Sequence, residues 1–169
     1  LSQDHLDYHK NIKNYLKAKL YLFEKLIKKK GNIITDEQIP EFKKIKDIST
    51  KKNLNLFSLL DKKNNFQFLS HQYEGESQLL EIKYKNSIHK IKLNLIGKIQ
   101  FKNVLMALIA SIKSSVNIKD ILNIIPKIKS VEGRFERVGR IKNNSKVILD
   151  YAHTPDALKT CLRNIKEQF

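Results

Sequence analysis

An acid, a histidine and a threonine crowd one turn of the sequence KVILDYAHTPDAL, residues 146–158. Asp150 stands where a short apolar run, Val147, Ile148 and Leu149, ends as a buried strand would. Thr154 suits a helix N-cap, and Pro155 falls on the first helical position, where a missing N–H costs nothing. Ala157, Leu158, Cys161, Leu162 and Ile165 then fall on one helical face. The turn after a strand of an α/β sheet is where ligands bind, so Asp150 and His153 are candidates for ligand contact. An ordinary buried strand followed by a capped helix would read the same way.

A second candidate is a lysine in an apolar setting. Ile12, Tyr15, Leu16, Leu20, Leu22, Phe23, Leu26 and Ile27 form a stripe at roughly 100° per residue, and Lys19 lies near its middle. Lys10, Lys13, Lys17, Lys25 and Lys28 lie on the other side, as a solvated face requires. Lys19 either snorkels to water or is desolvated at a site. Burial favours the neutral amine. A neutral amine adds carbon dioxide to give a carbamate, which turns a cation into an oxygen ligand suited to magnesium. Just before this stretch, LSQDHLDYH offers Asp4, His5, Asp7 and His9. Mixed Asp/His loops serve as helix caps as well as metal ligands, and magnesium prefers oxygen to imidazole.

Several elements must position these groups. Residues 1–9 read as a loop and 10 to about 29 as an amphipathic helix. Asn32–Thr35 reads as a strand, and a short helix is expected after Pro40. Strands are expected at 54–60, 65–70, 78–84 and 88–95, separated by polar turns. Residues 99–115 read as a buried helix. Asn117 and Asp120 open another that stops before Pro126. Gly133 and Gly139 bracket a change of character, which places a domain boundary near 132–140.

The bulk composition narrows the class. At 169 residues, 41% hydrophobic and 30% charged, the chain can bury a core. No apolar run is long enough for a membrane span. A single cysteine excludes an internal disulfide framework and fits a cytoplasmic location. The net charge of +16 invites a nucleic-acid reading. Arginine occurs only at 134, 137, 140 and 163, however, so lysine supplies nearly all of the 33 positive charges, spread along the chain. Nucleic-acid binders cluster basic and aromatic residues, and no such pattern repeats here. Neither a nucleic-acid nor a membrane partner is expected.

LSQDHLDYH followed by YLKAKLYLF, then GKIQFKNVLMALIA, then EGRFERV with VILDYAHTPDAL, resemble the Mur ligases in order and spacing. The similarity is greatest to the MurE-type branch, which adds the third residue of the peptidoglycan stem peptide. The resemblance implies an α/β fold. Residues 1–135 would form the later part of a central ATP-binding domain, with sheet, helices and a small antiparallel strand group. Residues 136–169 would form the first βα unit of a Rossmann-like C-terminal domain. It also implies an ATP-dependent ligase that joins meso-diaminopimelate or lysine to UDP-N-acetylmuramoyl-L-Ala-D-Glu through an acyl phosphate, with ATP and Mg2+. By the same analogy His5 and a carbamylated Lys19 would hold magnesium. Asn103 would contact adenine, Arg134 and Asp150 would hold the nucleotide, and Tyr151 and His153 would line its side of the site. Relatives carry Asn where this chain has Gln100, and Phe where it has Ile99. The 169 residues contain no G-x-x-x-x-G-K-[ST] loop, so they are expected not to turn over substrate alone. The alternatives are a nonenzymatic basic binding module, or a ligase of the folate-polyglutamylating or cyanophycin type. The DHLDYH and DYAHTPDAL strings argue against these two ligase types.

Overall fold

The computed structural model describes residues 5–61 and 65–169, so Asp4 lies outside the described residues. The chain divides into two compact units, residues 1–64 and 65–169.

In the first unit, a short helical turn, α1 (Leu6–His9), precedes α2 (Ile12–Tyr21). A turn thus forms where the sequence reads as loop. The Asn11 side chain caps α2 by accepting from the Asn14 N–H at 2.9 Å. The single long helix expected over 10–29 is interrupted. Leu22–Leu26 wind as a π-helical turn, closed by the Ile27 N–H donating to the Leu22 carbonyl. Next come strand β1 (Asn32–Thr35), helix α3 (Phe42–Lys52) and strand β2 (Asn55–Ser58). β1 and β2 pair in parallel, Ile33 opposite Leu56 and Thr35 opposite Ser58. Parallel neighbours need a crossover, and α3 supplies it by burying Ile45 and Ser49 while its lysines face water. Asn53 ends α3 in the left-handed region, which asparagine tolerates.

The second unit opens with a meander, β3 (Phe66–Glu74), β4 (Ser77–Tyr84) and β5 (Ser87–Leu93). Alternation on β4 sends Gln78, Leu80 and Ile82 inward, where all three are fully buried. Helix α4 (Lys98–Lys113) buries Phe101, Val104, Leu105, Leu108 and Ile109. Helix α5 (Ile118–Ile124) is capped by the Asn117 side chain, which accepts from the Lys119 N–H. A single 3-10 turn follows over Ile125–Lys127, so Pro126 ends the α-helix as expected. Strand β6 (Glu136–Arg140) then pairs antiparallel with β7 (Lys146–Leu149), which leads into helix α6 (Pro155–Gln168). Ile96, Phe135 and Cys161 form a small core there, packed by Ile148, Ala152 and Ile165.

Thr154 caps α6 as its sequence requires, accepting from the Ala157 N–H. The buried face of α6 differs from the expected one. Cys161, Asn164 and Gln168 are buried, whereas Leu158 and Leu162 are 50% and 59% exposed. The cause is the start of α4. Gly97 has φ +88, and its N–H donates to Gln168 Oε1 at 2.8 Å, while the Ile99 N–H donates to Asn164 Oδ1. Two polar side chains of α6 thus satisfy orphan amides of α4 and turn the two leucines outward. Among the described residues no helix is long and apolar enough to cross a membrane.

Candidate functional site

The candidate residues fall into two groups, one in each unit. In the first unit the group gathers around an aromatic ring. The Lys19 Nζ lies 5.4 Å from the centroid of the Tyr15 ring. The His5 ring meets the same ring edge to face at 5.9 Å, and His9 stacks on it at 4.8 Å. Tyr15 and Lys19 are one helical turn apart on α2, the spacing at which side chains meet.

Of the two readings of Lys19, desolvation at a site is not what the structure shows: the residue is exposed. The apolar stripe of α2 is two ridges wide. Leu16, Leu20, Phe23 and Ile27 form the ridge that turns inward and are half-buried. Ile12, Tyr15, Lys19, Leu22 and Leu26 form the neighbouring ridge, in which only Tyr15 is half-buried. Lys19 therefore sits against the Tyr15 ring at the surface and is not desolvated within a core. His5 is exposed as well, with a left-handed backbone at φ 59.

The donor chemistry still fits a divalent cation. A carbamate on Lys19 would offer oxygen and His5 an imidazole nitrogen, and both side chains touch one ring. Magnesium takes few protein ligands and keeps water and phosphate oxygens for the rest. Among the described residues no group of three or more His, Cys, Asp and Glu could hold a metal ion. A cation at this place would thus depend on the modified lysine.

The second group forms where β7 ends. The Asp150 carboxylate, half-buried, accepts the Phe135 N–H through Oδ2 and the Ala152 N–H through Oδ1, each at 3.0 Å. The Tyr151 N–H donates to the Gly133 carbonyl at 2.7 Å. The Arg134 guanidinium lies over the Tyr151 ring at 5.2 Å. The Tyr151 and His153 rings meet at 4.9 Å, and His153 Nδ1 is 3.0 Å from the Tyr151 carbonyl. Arg134, Asp150, Tyr151 and His153 are thus brought together, with Arg134, Tyr151 and His153 facing water. Asn103 is exposed on α4, one turn beyond Gln100. Gln100 Nε2 donates to the Arg134 carbonyl at 3.4 Å, which ties that face of α4 to the Arg134 segment.

Three contributors escape a reading of motifs alone. Tyr15 joins His5 to Lys19, and its spacing from Lys19 is the signal that finds it. Glu136 holds the turn before β6 by accepting the Gly133 N–H at 2.8 Å. Gln100 makes the Arg134 contact. Burial, with the nearby Asp150 charge, pushes the Cys161 thiol up, which disfavours the reactive thiolate.

A family model for the Mur ligase middle domain matches residues 1–111, and one for the Mur ligase glutamate ligase domain matches residues 133–169. The chain belongs to the Mur ligase family. UDP-N-acetylmuramoyl-L-alanyl-D-glutamate–2,6-diaminopimelate ligases resemble it along its length. That of Fusobacterium nucleatum is 36% identical over 169 residues, covering 98% of this chain and 34% of the relative. That of Zymomonas mobilis is 31% identical over 165 residues, covering 98% and 34%. The chain therefore spans about a third of the length of these curated relatives. Two solved structures share the Mur ligase fold. MurF from Acinetobacter baumannii superposes with a TM-score of 0.81 at 15% identity, covering 99% of this chain and 36% of that one. A solved diaminopimelate ligase superposes at 0.73 with 22% identity, covering 98% and 34%.

Proposed function

We propose that the protein acts as an ATP-dependent ligase of peptidoglycan precursor synthesis in the cytoplasm. It would join 2,6-diaminopimelate, the amino acid in the relatives' names, to UDP-N-acetylmuramoyl-L-alanyl-D-glutamate. Residues 1–135 would be the later part of the ATP-binding central domain and 136–169 the start of the C-terminal domain. The observation that carries this reading is the surface at the end of β7. There two distant segments, GRF and DYA, are stitched by backbone and carboxylate bonds beneath an exposed cation, phenol and imidazole.

The reaction has two steps. A substrate carboxylate oxygen takes the terminal phosphoryl group of ATP, giving an acyl phosphate and ADP. The amine nitrogen then attacks the acyl carbon, loses a proton and forms the amide as the bond to phosphate breaks. The protein's task is to place the partners and to balance crowded phosphate charge. In this proposal Asn103 meets the adenine. Arg134 and Asp150 hold the nucleotide, Asp150 through lone pairs left over from its two backbone bonds. Tyr151 and His153 line the nucleotide side. His5 and a carbamate on Lys19 would hold a magnesium ion, which when bound neutralises phosphate charge.

The test uses the protein as its gene encodes it. It is given ATP, Mg2+ and the UDP-linked dipeptide, with either diaminopimelate or lysine. The expected result is one ADP and one phosphate per tripeptide product with diaminopimelate, and none with Lys19→Ala, whose circular dichroism stays native because the side chain is exposed. Product with lysine alone would correct the amino acid. Absence of product with both would overturn the proposal.

A further inference from the structure

A register shift in β6 decides which way two arginines point. Residues 137 and 140 are three apart, and on a regular strand an odd spacing sends side chains to opposite faces. The β6–β7 pairing shifts between Arg137 and Gly139, so Val138 is an extra residue that resets the alternation. Both guanidiniums therefore reach one carboxylate. Arg137 Nη1 lies 2.6 Å from Glu76 Oε2, and Arg140 Nη2 lies 2.6 Å from Glu76 Oε1. Lys146, opposite Arg140 in the ladder, brings its Nζ to 4.0 Å from the same Oε1. Arg137 Nη2 also donates to the Glu76 carbonyl at 3.4 Å.

Glu76 belongs to the two-residue turn between β3 and β4, 61 residues before Arg137 and 64 before Arg140. Glu74, at the start of that turn, pairs instead with Lys92 at 3.0 Å. Like charges directly opposite each other, as Arg140 and Lys146 are, destabilise a ladder. The Glu76 carboxylate supplies their counter-charge. The hairpin it grips carries proposed nucleotide residues at its open end: Arg134 comes just before β6, and Asp150 just after β7. The Asp150 bonds tie the two strand ends to each other, and the Glu76 pairs tie both strands to the meander.

We infer that Glu76 is a positioning residue: its carboxylate draws Arg137, Arg140 and Lys146 onto the β3–β4 turn and so sets where the β6–β7 hairpin presents Arg134 and Asp150 to the nucleotide. The inference rests on the nucleotide roles proposed above for Arg134 and Asp150. The four side chains are 28–48% exposed, so dissolved salt screens their attraction. A contribution from packing alone would not respond to salt in this way.

The experiment uses the protein as its gene encodes it. Hydrogen–deuterium exchange of peptides within 133–152 reads the hairpin without nucleotide, and calorimetry reads ADP binding at low and high salt. Glu76→Gln keeps the side chain's size and removes its charge. It is expected to speed exchange in 133–152 and to weaken ADP binding by about 5- to 20-fold, the lower range of couplings between linked sites. The gap to wild type closes in about 1 M salt, where charges act over only about 3 Å. Arg140→Gln weakens ADP binding in the wild-type background but not in Glu76→Gln, where it relieves the repulsion from Lys146. Should Glu76→Gln not fold, Arg140→Gln alone carries the salt comparison. Wild-type exchange and ADP affinity in Glu76→Gln would overturn the role of Glu76. So would faster exchange with unchanged affinity, or a loss of affinity that persists at high salt. In each of these cases weaker ADP binding by Asp150→Ala leaves the proposed nucleotide site standing. Unchanged ADP affinity in Asp150→Ala would overturn that site, and this inference with it.

Discussion

Asp150 joins architecture to chemistry in one side chain. Its two oxygens accept amides from Phe135 and Ala152, so the carboxylate fastens the segment before β6 to the turn after β7. Hydrogen bonds to a charged acceptor are worth more than neutral ones, about 1.5–3 kcal/mol each. Asp150→Asn keeps the shape but turns an NH2 group toward one of those amides. The expected loss of folding stability is about 2 kcal/mol, read by urea unfolding, together with weaker nucleotide binding read by calorimetry. Unchanged stability would show that the two amide bonds do not hold the turn. Unchanged nucleotide affinity would remove Asp150 from the proposed site. The sequence showed this acid at a strand end, which was enough to select it. It did not show that Phe135 would be its partner, because that contact spans β6 and β7.

At the scale of elements, the structure departs from the sequence reading in a regular way. Both α2 and α6 carry apolar stripes two ridges wide, and each turns one ridge inward while the other faces water. On α2 the outer ridge holds Lys19, and on α6 it holds Leu158 and Leu162. Periodicity reports the stripe, but tertiary packing selects the ridge. Strand β4 was legible because its alternation is clean and polar turns flank it. Strand β6 was not, since Glu136–Arg140 has one apolar residue, Val138, and a register shift beside it. Packing between elements also sets one titration. On β3, His71 bonds Gln78 of β4 at 2.8 Å and stacks on Phe101 of α4 at 4.3 Å. Burial pushes its imidazole below the ordinary 6.5; Lys98 adds to that, while the Gln78 bond and Glu167 oppose it. Burial and then Glu167 push the phenol of the neighbouring Tyr73 up. A histidine kept neutral in the fold takes up a proton more readily when unfolded. Its contribution to stability is therefore complete above pH 6.5 and is lost as pH falls from 6.5 through the lowered folded value. Thermal unfolding followed across mild acid should show this decline, and His71→Phe should flatten it. An equal decline in His71→Phe would place the acid sensitivity elsewhere.

At the scale of the whole chain, the decisive question is what could cradle a triphosphate. Such a cradle needs successive backbone amides free to point at phosphate, which is why glycine-rich loops serve. The five glycines of this chain are placed otherwise. The Gly31 N–H donates to the Lys28 carbonyl, and Gly75 turns the β3–β4 hairpin. The Gly97 and Gly133 N–H groups are taken by Gln168 and Glu136, and Gly139 lies in the β6–β7 ladder. A net charge of +16 does not replace directed donors, since mobile surface lysines attract anions without orienting them. The 169 residues, produced alone and given ATP, Mg2+, the UDP-linked dipeptide and diaminopimelate, should release no phosphate above the buffer rate. Dipeptide-stimulated phosphate release by the 169 residues alone would mean that lysine side chains can orient a triphosphate without a glycine loop. The expectation that these 169 residues do not turn over substrate alone would then be wrong.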